Sequence, residues 1–320
     1  MLITSICNAQ SNRYGMTLEQ GVNGAYNLKD AKRICPLVEG GCDNLPEDVY
    51  EKWRGYVPQN IKESDYNQCK TLKFVYKTYS THTLDIEVDI PTNGKAPYPF
   101  IIWVHGGAWA NGSTKAFEDQ SKYLASRGIG GVRLAYSVKS QGGEFGMGMD
   151  ELAKALEFTQ KHAEQWQFDM KRYGYAGGSA GTPLSSLAAM KQGNKGCKLY
   201  IGCNGMYDFL ANRQGGFVGG NPINNTYLKN VSDFGAISAI NCIQDNPDHI
   251  PAVALFHGTV DYTINIAQAR NFRDVINRKG GTAILYEYPY YVHAFFNKNK
   301  SDMFEDVTIK MYEFAKKHLK

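Results

Sequence analysis

The chain has 320 residues, of which 43% are hydrophobic, so it is long enough for one large α/β core with further segments around it. The net charge of +4 is modest and no block of Lys and Arg stands out, which argues against a nucleic-acid partner. No apolar run is long enough to span a membrane, and the sequence has neither a phosphate-binding Gly-rich loop nor zinc-type His and Cys spacing. We therefore expect no membrane partner, no cofactor and no metal.

The amino-terminal residues 1–9 are interpreted as either the remnant of an export signal or a disordered end. A short apolar piece precedes a Cys-Asn-Ala sequence, and the small residue Ala9 suits signal-peptide cleavage, although a charged segment is missing. The first alternative predicts a secreted or periplasmic protein, and the second leaves it cytoplasmic. Cys35 and Cys42 flank a Gly-rich loop and could pair in an oxidising compartment.

Residues 10–70 are predicted to form an N-terminal extension to the main domain, which we place at 71–320. The extension has a mixed composition and a short predicted helix at 46–53, where acidic residues in the first turn suit the helix dipole. We interpret the extension as a cap over the end of the sheet that carries the functional loops. The alternative is that it packs on the far side of the domain.

The sequence pattern of the main domain predicts an α/β fold. Two stretches with alternating hydrophobic residues, 72–79 and 84–90, predict antiparallel edge strands. Strands and helices then alternate, which predicts a mostly parallel sheet covered by helices on both faces. The predicted strands are 100–104, 131–136, 172–176, 198–203, 252–257 and 283–288, and the predicted helices are 115–126, 149–165, 183–190, 266–278 and 305–317.

Cys197 and Cys203 bracket one strand and lie too far apart for a disulfide. The Gly- and Asn-rich segment 212–230 predicts either a mobile rim near the site or a plain surface loop.

A Gly-x-Ser-x-Gly sequence at 177–181 lies between a predicted strand and a predicted helix. A serine in such a tight turn holds its hydroxyl exposed at the edge of the sheet, and glycines are needed because the turn leaves no room for bulk. A Gly-rich turn with a serine is common by itself. Two further segments of the chain make Ser179 the candidate nucleophile.

The first of these segments is the His-Gly-Gly-Ala sequence that follows the strand at 100–104. Acyl transfer places negative charge on a carbonyl oxygen, and backbone N–H groups can stabilise it where the chain bends close to the nucleophile. His-Gly-Gly after a buried strand is a typical form of this arrangement. We predict that the N–H groups of Gly107, Ala108 and Ala180 form an oxyanion hole and that His105 holds the loop by hydrogen bonds.

The second segment provides partners for the serine. A serine nucleophile needs a base, and the base needs an acid that orients it. His293 follows the last predicted strand and is the predicted base, and Asp261 follows the strand before it and is the predicted acid. Both fall on loops after strands, which is where open α/β sheets place their sites.

Other titratable residues fit these roles less well. Asp208 is the main alternative to Asp261, but it comes one strand earlier, and Glu287 lies inside a strand. His257 lies too close to its own strand to swing over Ser179, so we predict a structural role for it.

These motifs resemble those of the α/β-hydrolase superfamily. The chain is most similar to bacterial esterases related to hormone-sensitive lipase and to esterases that trim plant polysaccharides. The matching sequences are His-Gly-Gly-Ala-Trp at 105–109, Gly-Gly-Ser-Ala-Gly at 177–181, His-Gly-Thr-Val-Asp at 257–261, and His293. The resemblance covers residues 71–320 and implies the α/β-hydrolase fold and a serine esterase without a cofactor. Many relatives have Gly where this chain has Ala108. Alanine keeps the N–H donor, but its methyl group narrows the site slightly.

Five aromatic residues beside the motif loops are the predicted substrate contacts: Trp109, Tyr136, Tyr207, Tyr262 and Phe295. Aromatic rings stack on sugars and on aromatic acyl groups, and the resemblance points the same way, so we expect an acetyl or feruloyl ester of a plant polysaccharide. The partner would be a small-molecule or oligosaccharide ester. The alternative for these rings is that they are core, and the alternatives for the function are a general short-chain carboxylesterase, a serine peptidase or a non-catalytic binding protein. The oligomeric state stays open.

Overall fold

The computed structural model describes residues 61–192, 196–211, 225–259, 261, 263–288, 291–298 and 303–320. Several predictions fall outside these residues: the export signal, most of the N-terminal extension, the pairing of Cys35 with Cys42, the role of Tyr262, and most of the segment 212–230. Of the extension, residues 61–66 pack against the helix at 118–125, where Arg127 binds the Asp65 carboxylate at 2.8 Å.

The elements follow the predicted alternation, with boundaries that differ by a few residues. The strands are β1 (Cys69–Thr78), β2 (Thr83–Pro91), β3 (Tyr98–Val104), β4 (Gly130–Leu134), β5 (Phe168–Gly178), β6 (Cys197–Cys203), β7 (Ala252–Gly258) and β8 (Ala283–Tyr288). The main helices are α1 (Glu118–Ala125), α2 (Phe145–Trp166), α3 (Thr182–Gln192), α4 (Ala267–Arg278) and α5 (Phe304–His318).

The strands form one sheet in the order β1-β2-β4-β3-β5-β6-β7-β8. β1 pairs antiparallel with β2, and β2 pairs antiparallel with β4, while every pairing from β4 to β8 is parallel. The predicted α/β-hydrolase fold, with its mostly parallel sheet and its antiparallel strands at one edge, is therefore confirmed.

Hydrophobic side chains fill the space on both faces of the sheet, because successive residues of a strand point to opposite sides. In β3, Ile102 and Val104 face the core beneath α2, α3 and α4, whereas Ile101 and Trp103 face the core beneath α1 and α5. A strand that is buried on both faces reads as a continuous apolar run, which is what the sequence of β3 has. Both faces are covered, as predicted.

A partly buried polar cluster ties the antiparallel edge to α2. The Glu151 carboxylate accepts hydrogen bonds from the Ser137 hydroxyl and N–H, at 2.5 and 2.8 Å, and from the Tyr79 hydroxyl at 2.8 Å. His82 Nε2 lies 2.9 Å from the Ser137 oxygen. Because the single hydroxyl proton of Ser137 goes to the carboxylate, His82 is the donor in its contact with this serine.

The carboxyl ends of β3, β5, β6, β7 and β8 meet at one edge of the sheet, since these strands are parallel. The loops that leave this edge carry all the motifs that the sequence singled out. Cys197 and Cys203 occupy the two ends of β6 and are both free thiols, as the length of the strand predicts.

Candidate active site

Ser179 lies at the tip of a sharp turn between β5 and α3. Its φ of +50° is in the left-handed region, which a residue with a side chain seldom adopts. The loop after β3 approaches this turn so closely that a Cβ on Gly106 would lie 2.8 Å from the Gly178 carbonyl oxygen and 3.1 Å from the Ser179 Cβ. A glycine is therefore required at 106, because only it lets the two loops come this near.

The structure brings Ser179, His293 and Asp261 into one hydrogen-bonded row. His293 Nε2 lies 2.7 Å from the Ser179 hydroxyl, and His293 Nδ1 lies 2.7 Å from Asp261 Oδ2. A carboxylate can only accept, so Nδ1 carries a proton, and Nε2 of the neutral ring is left to accept from the serine. This arrangement can remove the hydroxyl proton as the serine attacks a carbonyl carbon.

Asp261 is buried and is held from several directions. The N–H groups of Thr263 and Ile264 both donate to its Oδ1 at 2.9 Å, while the Asn204 amide donates to Oδ2 at 2.6 Å. Burial acts to raise the pKa of Asp261, but the attraction to the positive charge that His293 carries when protonated and the hydrogen bonds from the neighbouring histidines outweigh it. The pKa of this carboxyl is held well below its usual range, so it stays ionised opposite His293.

His257 is a second histidine beside the acid, and its position fits the predicted structural role. It is fully buried in β7, and its Nε2 lies 2.9 Å from the Ile264 carbonyl oxygen and 3.4 Å from Asp261 Oδ2. Since a carbonyl oxygen only accepts, Nε2 carries the proton in this contact. His257 thus fixes the turn that presents Asp261.

The alternative acids lie elsewhere. Asp208 accepts a hydrogen bond from the Leu210 N–H, and Glu287 forms an ion pair with Arg270. Neither carboxylate contacts His293 within the residues that the structure describes, so the geometry favours Asp261 as the acid.

The loop after β3 presents the predicted oxyanion donors beside the serine. Gly107, Ala108 and Trp109 are three consecutive residues with positive φ, at +112°, +54° and +57°. In the described part of the chain, the N–H groups of Gly107 and Ala108 have no hydrogen-bond acceptor. Gly107, Ala108 and Ser179 line the same cavity, and Ala180 directly follows the serine. These positions suit the binding of an oxyanion.

His105 holds this loop from inside, as predicted. Its Nδ1 donates to the Gly106 carbonyl oxygen at 2.8 Å, and its ring stacks on Tyr136 with 4.1 Å between the ring centroids. Burial lowers the pKa of His105 to about 4, and the hydrogen bond to Gly106 offsets this only in part. The ring is therefore neutral at pH 7.

Trp109, a predicted substrate contact, belongs to the core instead. Its ring is 3% exposed and stacks face to face on Tyr227, with the centroids 5.3 Å apart and the planes 1° from parallel. Its carbonyl oxygen also accepts the Lys139 N–H at 2.8 Å. We infer that Trp109 holds the left-handed turn of the oxyanion loop, and the prediction that it binds substrate was wrong.

The same correction applies to Tyr136, Tyr207 and Phe295, which are all nearly inaccessible. The Tyr136 hydroxyl donates to the His105 carbonyl oxygen, Tyr207 stacks on a phenylalanine of α4, and Phe295 packs against Tyr288. None of the three lines the cavity at Ser179. Proximity to a motif in sequence did not reveal that these rings point into the core.

A cavity of about 530 Å³ opens onto Ser179 and His293. Two aromatic rings that the sequence analysis did not select, Phe117 and Phe296, line it and stack on each other with 5.5 Å between their centroids. The other described residues that line it are small or neutral and are Gly106, Gly107, Ala108, Ala110, Asn111, Ala116, Gly178, Thr263, Ala294 and Asn297. The cavity therefore suits an uncharged ligand with an apolar or aromatic part.

A buried ion network anchors the far end of the oxyanion loop. Arg133 of β4 is 0% exposed, and its guanidinium binds Asp89 at 2.8 Å and Glu87 at 2.9 Å. The same guanidinium donates to the Thr114 carbonyl oxygen, and the Thr114 hydroxyl donates to Glu87 at 2.9 Å. Because each charge has a partner, the network can remain buried and fix the loop to the sheet.

Within the described ranges, no helix is both long and apolar enough to cross a bilayer. The same residues contain no group of three or more His, Cys, Asp or Glu that could hold a metal ion.

Comparison with known families gives a match over much of the main domain. The sequence profile of the BD-FAE family, an α/β-hydrolase family, matches residues 84–276, which is more than half of the chain. The matched region contains Ser179 and Asp261 and ends before His293.

The curated relatives of this chain include plant proteins named as methylesterases. The chain is 26% identical over 249 residues to a probable isoprenylcysteine alpha-carbonyl methylesterase, ICMEL1, of Oryza sativa subsp. japonica, covering 71% of the chain and 57% of the relative. It is 24% identical to the ICMEL1 protein of Arabidopsis thaliana, covering 73% of the chain and 54% of that relative. The chain thus spans just over half the length of these relatives.

Among solved structures, Thermogutta terrifontis esterase 2 phosphonylated by sarin superposes with a TM-score of 0.68 at 21% identity, covering 76% of this chain and 93% of that one. The propionate-bound form of that esterase gives a TM-score of 0.66 at 20% identity, covering 79% and 95%. This likeness shows the shared fold.

Proposed function

The chain belongs to the BD-FAE family, and on this premise we propose that it is a serine carboxylesterase that acts through an acyl-enzyme. The observation that carries the proposal is the row Ser179, His293 and Asp261, with both hydrogen bonds at 2.7 Å, beside N–H groups of the oxyanion loop that have no acceptor among the described residues. Nucleophile, base, orienting acid and oxyanion donors are the parts that acyl transfer requires.

The proposed reaction has two steps. Ser179 Oγ attacks the ester carbonyl carbon while its proton passes to His293 Nε2, and the N–H groups of Gly107, Ala108 and Ala180 bind the oxyanion. The alcohol leaves with the proton from His293. Water then attacks the acyl-enzyme by the same route, which releases the acid and restores the serine. Asp261 keeps His293 in the correct tautomer throughout.

For the substrate, we propose an acetyl or feruloyl ester of a plant polysaccharide. The described residues that line the cavity include no Asp, Glu, Lys or Arg, and its two stacked rings, Phe117 and Phe296, offer a surface for an aromatic acyl group or a sugar. A secreted or periplasmic location would suit such a substrate and stays a prediction.

A second candidate substrate class is a carboxylic methyl ester, because the curated relatives are named as methylesterases. The same residues would act on it, with methanol as the leaving group. The neutral lining of the cavity is compatible with either class.

The test measures hydrolysis of p-nitrophenyl acetate, acetylated and feruloylated xylan fragments, an isoprenylcysteine methyl ester and peptide anilides. Ser179→Ala should lower kcat/KM by about 10⁴-fold or more, because the nucleophile is lost. Ser80→Ala, on an exposed residue of the turn between β1 and β2, is the matched control and should leave the rate unchanged.

The outcomes separate the proposals. Turnover that survives in Ser179→Ala excludes Ser179 as nucleophile. Turnover of the methyl ester without release of acetate or ferulate from xylan fragments replaces the polysaccharide proposal with the methylesterase one. Cleavage of peptide anilides in preference to all esters would replace both with a peptidase.

A further inference from the structure

Asn204 lies at the carboxyl end of β6, between the loops that carry the acid and the base. It is completely buried, and its backbone N–H donates to the Phe256 carbonyl oxygen at 2.9 Å, which extends the pairing of β6 with β7. Its φ of +47° lies in the left-handed region, which Asn tolerates better than most residues.

The Asn204 amide makes two contacts of opposite sense. Its Nδ2 donates to Asp261 Oδ2 at 2.6 Å, and its Oδ1 accepts the Ala294 N–H at 3.3 Å. The carboxylate can only accept and the backbone N–H can only donate, so the orientation of the amide is fixed by its partners. One side chain thus connects the loop after β7 with the loop after β8.

We infer that Asn204 is a positioning residue of the proposed esterase site, holding the Asp261 carboxylate and the His293 loop in register with each other. The inference rests on the proposed function. Ala294 directly follows His293, so the contact with its N–H sets where the imidazole stands relative to the acid. Neither the family match nor the motifs assign a role to this residue.

The chemistry of the position favours Asn over other residues. Aspartate has the same shape and could accept from Ala294, but it would set a second charge against Asp261. Serine has one short hydroxyl and cannot reach both partners. Glycine tolerates the left-handed backbone but makes neither contact. Only an amide supplies a donor for the carboxylate and an acceptor for the N–H at this length.

The surroundings of Asp261 define what a change at Asn204 would do. Around the carboxylate stand His293 from the loop after β8, His257 from β7, the Asn204 amide from β6, and two backbone N–H groups of its own loop. Among the described residues, the histidines are the only titratable groups in contact with it. A carboxyl at 204 would share a proton with Asp261, and once that proton is lost the second negative charge would stabilise the protonated form of His293, which is the inactive form of the base.

The experiment compares Asn204→Gly and Asn204→Asp with the unaltered protein, using p-nitrophenyl acetate. Asn204→Gly should lower kcat about 10²-fold with KM changed less than about twofold, because the base is misplaced while the cavity is intact. Asn204→Asp should shift the rising limb of the kcat/KM pH profile upward by about one pH unit, because the protonated base is favoured. Asn246→Asp makes the same charge change at an exposed turn beyond the opposite end of β7, and should leave the profile unmoved.

A burst of p-nitrophenolate from paraoxon, measured in each variant, counts the reactive serines. If the unaltered protein hydrolyses no ester and gives no burst, the proposed function fails. If it does both, and Asn204→Gly keeps its kcat while Asn204→Asp keeps its pH profile, the esterase stands and the role of Asn204 is overturned. Should Asn204→Gly not fold, Asn204→Asp alone decides, since a merely structural role would not move a pH profile.

Discussion

The acid–base side of the site, formed by Asn204, Asp261 and His293, is joined by hydrogen bonds of defined direction, and Asn204 and His293 lie 2.6 and 2.7 Å from the Asp261 carboxylate. The oxyanion side, formed by loop 105–117, is held by stacked rings, consecutive positive φ angles and a buried ion network. The geometry of the acid–base side depends on hydrogen-bond donors and acceptors. The geometry of the oxyanion side depends on packing and on charged groups remote from the serine.

This difference follows from what each side must do in the proposed reaction. Groups that exchange a proton need a fixed tautomer and a fixed charge, which only directional hydrogen bonds provide. Backbone N–H donors carry no titratable proton, so a rigid loop is sufficient to position them. Changes on the acid–base side should therefore alter the rate, and changes on the oxyanion side should first alter stability.

The largest expected effect is the loss of the acid. Asp261→Asn should lower kcat about 10⁴-fold, because a neutral amide neither fixes the His293 tautomer nor stabilises the imidazolium. The measurement is kcat on p-nitrophenyl acetate, with Asp208→Asn as control. A large loss in the control and a small one in Asp261→Asn would transfer the acid role to Asp208.

A stability change of intermediate size should follow removal of Arg133. Arg133→Met leaves Asp89 buried without its cation and leaves Glu87 only a 3.9 Å contact with the exposed Lys115, so it should lower the free energy of unfolding by about 3–5 kcal/mol. Arg270→Met removes an exposed ion pair with Glu287 and should cost less than about 1 kcal/mol. Urea unfolding measures both. The contrast between the two sides breaks down if Arg133→Met lowers kcat strongly while stability is unchanged.

The smallest effect is a pH dependence that separates the two sides. The folded pKa of His105, about 4, lies below its ordinary value of 6.5, so the unfolded chain binds a proton that the folded chain does not. Stability should therefore fall by about 2 kcal/mol between pH 7 and pH 5 from this group alone. The contribution of Asp261, whose folded pKa is depressed, is lost only below its ordinary value of 3.8.

Urea unfolding at pH 7 and pH 5 tests this dependence with His105→Gln as the matched variant. The slope of stability with pH should be smaller in the variant, whatever its absolute stability. An equal slope in both proteins would mean that His105 does not remain neutral in the folded protein.

The fold and the row of proposed catalytic residues could be predicted because their signals are local. Buried parallel strands are short apolar runs, and the chemical residues follow directly after their carboxyl ends, as Ser179 and Asp261 do. The order of the motifs along the chain then placed His293 last, and the structure sets it between the other two.

The substrate surface could not be predicted in the same way. Phe295 and Phe296 are neighbours, yet only Phe296 lines the cavity, because the direction of each side chain depends on how the loop folds back. Phe117 adopts a positive φ before α1, which no composition signal announced. Asn204 was missed because its contacts join three loops that are distant in sequence. The sequence signal that could have identified Asn204 was its position directly after the carboxyl end of β6.

The polar cluster of His82, Ser137 and Glu151 has the same three kinds of side chain as the proposed triad, a serine, a histidine and a carboxylate, connected in another order. The Ser137 hydroxyl donates to the Glu151 carboxylate and accepts a hydrogen bond from His82. No imidazole lone pair therefore faces this hydroxyl to take its proton. At Ser179 the imidazole stands between hydroxyl and carboxylate, with a lone pair facing the serine. A serine's reactivity is thus decided by the direction of proton donation around it. A serine, a histidine and a carboxylate thus stabilise the fold at one place in this sheet and, in the proposed reaction, transfer a proton at another.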